Sequence, residues 1–204
     1  LDLGPGDEYV SLLPMGWIGE QAMGLFQPVV ARYTMNFVED GSTTMADLRE
    51  IAPTFMFLAP RVWEQIVANV RAQMMDASPF KQRIFEWALK TGLAAVDKGR
   101  TSHLAQWTVM RALRDRLGFS RLRYASTGGA AMGPDTFKLF MAMGVPMLQL
   151  YGQTELLGIY LTQRPGDRDF DGVGIGLTPE YEVRIDQPDP SGVAEIESRH
   201  PHIF

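Results

Sequence analysis

Cysteine is absent from all 204 residues, which excludes thiol catalysis, cysteine-ligated metal and internal disulfides and fits a reducing compartment. Histidine is nearly absent as well: only His103, His200 and His202 occur. His200 and His202 stand two apart, but with no cysteine and one other histidine they are not expected to form a metal site. Positive charge is short too, with 19 Lys and Arg against 24 Asp and Glu for a formal net charge of −5. The basic residues are scattered, so a nucleic-acid surface is not expected and any anionic ligand must be held locally. No long uninterrupted apolar run exists. The longest, Ser11 to Val30, is broken by Pro14, Glu20, Gln21 and Pro28, so no transmembrane helix is expected. With no signal peptide or lipidation motif at its start, the chain reads as cytoplasmic. It also lacks an initiating methionine, opening on Leu1, and Ala194 to Phe204 reaches the end just as a strand pattern forms. These ends suggest an internal fragment of something longer.

What is present is ordinary for a globular protein: 46% hydrophobic and 21% charged residues, enough for one sizeable core or two modest ones. Short apolar runs alternate with helical patterns through the first two-thirds, the signature of βαβ units and a mostly parallel sheet flanked by helices. Strands are expected at Tyr9 to Leu13, Tyr33 to Val38, Thr54 to Leu58, Arg121 to Ser126 and Pro146 to Tyr151. Helices are expected at Gly19 to Arg32, at Thr44 to Ile51 with Thr43 or Thr44 as its cap and Asp47 near the capping-box position, and from Pro134 to near Gly144. A helical excursion over about 60–118 comprises Pro60 to Met75, Pro79 to Val96 and Ser102 to Leu117. Val62, Ile66 and Val70 repeat every four residues, and Trp107, Met110, Leu113 and Leu117 every three or four, giving each helix one apolar face.

Beyond Arg164 the pattern changes. Gly172, Gly174, Gly176, Pro179, Pro188, Pro190 and Gly192 punctuate two short strand patterns, Tyr181 to Ile185 and Val193 to Glu197, with no helix between them. The expected division is therefore an α/β part over 1–165 and the start of a smaller antiparallel β subdomain over 166–204. The run Gly172 to Gly176 is not a dinucleotide loop, because it lacks the G-x-G-x-x-G spacing and Pro179 blocks the helix such a loop must open.

Two loops follow predicted strands at the end where open parallel sheets bind ligands. The first is Thr127-Gly128-Gly129-Ala130-Ala131. The second is the pentapeptide Tyr151-Gly152-Gln153-Thr154-Glu155, which brings an aromatic face, bare backbone, a hydroxyl and a carboxylate into one turn. Together they suit a flat nucleotide with a bound metal; taken alone, each reads rather as a tight turn, the second with a buried tyrosine.

The stretch STGGAAMGPDTFKLFMAMGVPMLQLYGQTE closely resembles the adenylate-forming (AMP-binding) superfamily, whose members carry a GGA-like segment and then YGxTE about one βα unit later. SLLPMGWIGE is similar to the family's LPLxHIxE segment. APRVWEQI resembles the VPRVWEKI helix of the long-chain acyl-CoA synthetase branch, and the three-helix block fits that branch. The resemblance extends over essentially the whole chain. It implies that Gly128, Gly129 and Ala130 line an adenine pocket, that Tyr151 stacks on the base beside Gly152 and Gln153, that Thr154 bonds a phosphate and that Glu155 helps hold Mg²⁺, a hard cation suited to carboxylate oxygen. Trp17 stands where the family often has a histidine lining the acyl site; it is either an acyl-pocket residue or a core tryptophan. His200 replaces a usual glycine in an RGP-like turn.

Two family parts are missing from the sequence: the TSGTTGxPK-like phosphate loop, expected before Leu1, and the ribose-binding aspartate and lysine-bearing small domain, expected after Phe204. The implied parent is an ATP-dependent long-chain fatty-acid–CoA ligase using ATP, Mg²⁺ and coenzyme A, with this fragment inactive alone. The alternatives are a fatty-acyl-AMP ligase and a non-catalytic interaction module that keeps the fold. Expected partners are fatty acid, ATP and CoA, without nucleic acid; peripheral membrane contact is compatible with the sequence. Apolar edges left by a cut sheet would favour self-association.

Overall fold

Residues 2–167 and 169–201 are described by a computed structural model, in which the predicted alternation builds a seven-stranded mixed sheet. In chain order the elements are strand β1 (Glu8–Ser11), helix α1 (18–31), β2 (Thr34–Phe37), α2 (Thr44–Ile51) and β3 (Phe55–Leu58). Then follow α3 (Pro60–Met75), α4 (Pro79–Asp97), α5 (103–116), β4 (Tyr124–Thr127), α6 (Pro134–Ala142) and β5 (Met147–Gln153). A 3₁₀ turn (Thr154–Leu156) leads into β6 (Gly158–Thr162) and β7 (Ile175–Gly176), and β8 (Glu182–Ile185) and β9 (Ile196–Arg199) close the series. The order across the large sheet is β2-β1-β3-β4-β5-β6-β7. Strands β1 to β5 pair in parallel, β6 and β7 run antiparallel at one edge, and β8 with β9 forms a separate antiparallel pair.

Three helices begin where proline demands it. Pro60, Pro79 and Pro134 each open a helix after a residue in extended backbone, because proline presets the helical φ and needs no amide partner in the first turn. Strand alternation then sorts the side chains between two faces. Val10, Met56, Leu58, Ala125 and Met147 turn to the face covered by α2 to α6, where Trp63, Phe119, Phe137 and Phe140 fill the main core. Trp63 is fully buried, edge-on to Phe140 at 4.9 Å and to Phe119 at 5.7 Å. Its indole N–H donates to the Ser126 carbonyl at 3.3 Å and so fastens α3 to β4. Tyr9, Phe55, Phe57 and Leu150 turn to the opposite face, where Met23 of α1 and Tyr33 meet them.

Several details depart from expectation. The buried stripe of α3 is Trp63, Ile66, Val67 and Val70, an i, i+3, i+4, i+7 set that leaves Val62 40% exposed. Trp107 is 81% exposed. A π-helical stretch, Gln106–Met110, widens α5 there; Met110 and Leu117 of the expected stripe are buried, with Ala105 beside them, and Leu113 packs against the core. A second π stretch, Ala22–Phe26, interrupts α1. Thr43 holds the cap position of α2 but makes no capping bond to a helix amide; its hydroxyl donates to the Asp47 carboxylate at 2.7 Å, so the reciprocal box does not form. Strand β6 lies in a stretch with no expected element. No described helix is long and apolar enough to cross a membrane.

The amino ends of β1, β3 and β4 are tied by Asp7, which is 3% exposed. Its carboxylate accepts from the Gly4 amide at 2.9 Å, the Thr54 hydroxyl at 2.7 Å and the Arg123 guanidinium at 2.9 Å and 3.0 Å. Burial alone would raise this carboxyl, but the hydrogen bonds from Thr54 and Gly4 and the charge of Arg123 together hold it below the ordinary range. A carboxyl depressed on folding contributes stability that is complete above its unfolded value, about 4, and lost as pH falls through the folded value. Urea midpoints measured from about pH 5 down to about pH 3 should therefore fall more steeply for the wild type than for Asp7→Asn; equal slopes would contradict this account.

Candidate functional site

In the order β2-β1-β3-β4-β5 the chain moves outward from β1 in one direction and then returns to pair β3 on its other side. The loops leaving the carboxyl ends of β1 and β3 consequently diverge, and open α/β sheets bind ligands in such a crevice. A cavity of about 340 Å³ occupies it. Gly16 and Trp17 come from the loop after β1, Ile18 and Gly19 from the first turn of α1, and Phe57 from β3. Gly128 and Gly129 follow β4; Leu150, Gly152, Gln153 and Thr154 come from β5 and its turn; Gly158 and Ile159 belong to β6. None of these side chains is charged, so the cavity suits an apolar or flat group bounded by bare backbone.

Two glycines shape it. Gly129 has φ of +85°, the left-handed region that side chains avoid, and the Trp17 ring lies 4.0 Å from where its Cβ would be. At Gly152 a Cβ would fall against the Gly158 carbonyl oxygen, because β5 and β6 approach there across a bulge between Tyr151 and Gly152.

That pairing changes the geometry expected for the pentapeptide. It is not one turn: Tyr151, Gly152 and Gln153 continue β5, and only Thr154–Leu156 turn. Leu150 and Gly152 consequently line the cavity while Tyr151 leaves it. The Tyr151 ring is half-buried and edge-on to Tyr160 at 5.5 Å. Tyr160 stacks on Tyr181 at 5.7 Å, and Tyr181 on His200 at 4.2 Å. Burial pushes the Tyr160 hydroxyl up in pKa, with Tyr151 adding to it against the opposing bond from Ser198.

The structure thus brings Trp17, Gly128, Gly129, Gly152, Gln153 and Thr154 together around one cavity. Trp17, 48% exposed at its mouth, is no core residue. Ala130 and Glu155 are exposed and outside the lining, Glu155 directly following Thr154. The Thr127 hydroxyl, just before the glycine loop, is buried without a partner. Among the described residues no three or more Asp, Glu, His or Cys cluster as a metal site; His202 lies outside the described residues. Phe57, Gly158 and Ile159 were not foreseen as lining. For the latter two the signal was present in Gly158-Ile159-Tyr160-Leu161-Thr162, a β-forming run directly after the motif.

A family model described as AMP-binding enzyme matches residues 1–204. The chain is 27% identical over 206 residues to the long-chain-fatty-acid–CoA ligase ACSBG2 of Gallus gallus, covering 96% of this chain and 27% of that protein. It is 29% identical over 217 residues to the peroxisomal long chain acyl-CoA synthetase 7 of Arabidopsis thaliana, covering 98% and 30%. The crystal structure of a long-chain-fatty-acid-CoA ligase (FadD1) from Archaeoglobus fulgidus superposes with a TM-score of 0.59 at 16% identity, covering 99% of this chain and 36% of that one; this likeness concerns the fold alone. The chain spans about a third or less of the length of the curated relatives it matches.

Gly152→Ala should force β5 and β6 apart. Hydrogen exchange of the Ile159 to Leu161 amides should then accelerate selectively; protection equal to wild type would mean the close approach is unimportant.

Proposed function

This chain belongs to the AMP-binding enzyme family, and from that premise we propose that its parent is an ATP-dependent long-chain fatty-acid–CoA ligase. The observation that carries the reading is the uncharged cavity where Trp17, the Gly128-Gly129 loop and the Gly152 to Thr154 segment meet. The acyl end of the fatty acid enters this cavity beside Trp17. The adenine takes the ledge beside it, between Gly128 to Ala130 and Tyr151, at the carboxyl ends of β4 and β5. The fatty-acid carboxylate attacks the α-phosphorus of ATP, an O–P bond forms and the bond to pyrophosphate breaks. The coenzyme A thiol, losing its proton, then attacks the acyl carbonyl, forming the thioester and releasing AMP.

The chain's own residues position and stabilise these species. Thr154 donates its hydroxyl to a phosphate oxygen. Glu155, exposed one residue further along, offers the hard oxygen that Mg²⁺ prefers, and one carboxylate with substrate phosphates is a common way of holding that ion. Bound there, Mg²⁺ would offset phosphate charge. No Lys or Arg lines the cavity, so the remaining countercharge has to come from other parts of the parent. Its relatives' greater length supports that division.

The test is fatty-acid-dependent pyrophosphate–ATP exchange and thioester formation by the intact protein. Thr154→Ala and Glu155→Ala should each lower kcat/KM by about 100-fold or more; unchanged rates would sink the assigned roles. Acyl-adenylate without thioester would favour a fatty-acyl-AMP ligase, and no ATP binding would favour an interaction module. The 204-residue chain alone should show no exchange. It should also self-associate in sedimentation, since Leu25, Phe26, Val29 and Val30 of α1 are exposed together; a monomer with exchange activity would refute both expectations.

A further inference from the structure

On the face of the sheet covered by α1, a second cavity of about 580 Å³ adjoins the first. Leu150 and Ile159 line both. Met23 and Gln27 of α1 and Leu148 of β5 line it together with the polar Tyr124, Ser126, Thr162 and Gln163, the last bonded through both ends of its amide. Asp2 and Arg164, which are exposed to solvent, complete the polar part of the lining. Met23 and Gln27 stand four apart, across the π stretch Ala22–Phe26, and so share one face of the helix.

Gln27 is the anomaly in this wall, because its side-chain oxygen is buried with no hydrogen-bond partner. Neighbouring hydroxyls are already engaged. Ser126 donates to the Met56 carbonyl at 3.1 Å and Thr162 to the Gln163 carbonyl at 3.0 Å. Glu20, another buried acceptor on α1, receives the Tyr9 hydroxyl at 2.8 Å, and its unpaired oxygen lies against Gly24 of its own helix. Gln27 alone among these presents an unpaired group in the lining of the second cavity.

A plain alkyl chain filling this cavity would leave the Gln27 amide oxygen without a partner, which is unfavourable. A hydroxyl on the chain removes that penalty. It can donate to the amide oxygen or accept from the amide nitrogen, so it suits either orientation of the side chain. We infer that the second cavity takes the distal part of the acyl chain and that Gln27 selects long-chain fatty acids bearing a hydroxyl group there. The inference rests on the function proposed above and names the substrate class of that site.

Thioester formation by the intact protein tests it, with palmitic acid compared against palmitic acids hydroxylated at successive single positions. In the wild type, kcat/KM for at least one hydroxylated isomer should exceed that for palmitic acid by roughly tenfold, the worth of one well-made buried hydrogen bond. Gln27→Met keeps the length and removes the amide, so it should reverse the preference. Equal kcat/KM for palmitic acid and every isomer in the wild type would overturn the inference, whether or not the variant folds; that is the result expected if a water satisfies Gln27. A preference that survives in Gln27→Met would also overturn the role of this residue. Failure to activate any of these acids would instead overturn the proposed function, and the inference with it.

Discussion

Parallel pairing of β1 through β5 brings five carboxyl ends to one edge of the sheet, and the candidate site depends on that common direction. Segments as distant in sequence as Trp17, Phe57, Gly128 and Thr154 line one cavity because each follows or ends a strand that points the same way. The reversal of order at β1 and β3 opens the crevice between them. At the far end of the strands, Asp7 is held by Gly4, Thr54 and Arg123, which fixes the alignment of β1, β3 and β4 from below.

The two faces of the sheet have different consequences. One is packed by α2 to α6 around Trp63 and the four phenylalanines Phe85, Phe119, Phe137 and Phe140, and this aromatic core backs the site. The other carries α1 and both cavities. Its buried polar groups are few but consequential. Burial raises the Tyr9 and Tyr33 hydroxyls well above the usual tyrosine range, with Glu20 adding to the effect; both therefore remain neutral hydrogen-bond donors, Tyr9 to Glu20 and Tyr33 to the Met23 carbonyl. These bonds anchor α1 just before and within its π stretch, beside the two cavities that Trp17 and Gln27 respectively line.

Much of the fold was legible because its signals are local. Proline at the first helical position announced α3, α4 and α6 before any tertiary contact was considered. Apolar runs of strand length announced β1 to β5. What failed depended on distant partners or on backbone irregularity. Trp107 fits an apolar helical stripe, yet the π stretch rotates it out to solvent. Strand β6 escaped notice because its run of five residues follows a motif that looked like the end of the strand. Its pairing is what keeps Tyr151 to Gln153 extended and sends Tyr151 to the opposite side from Gly152.

The sequence by itself determined the element types, the parallel α/β class, and, through its motifs, the resemblance that the family match over 1–204 bears out. These are properties of short stretches, set by proline and glycine geometry and by the period of apolar residues. Only the tertiary structure decided which motif residues share a cavity, that Trp17 stands at its mouth, and that Gln27 lines a second cavity with an unpaired oxygen. Those facts depend on strand order, on a bulge and on a helix phase shifted by a π stretch, and each arises from contacts between segments far apart in the chain.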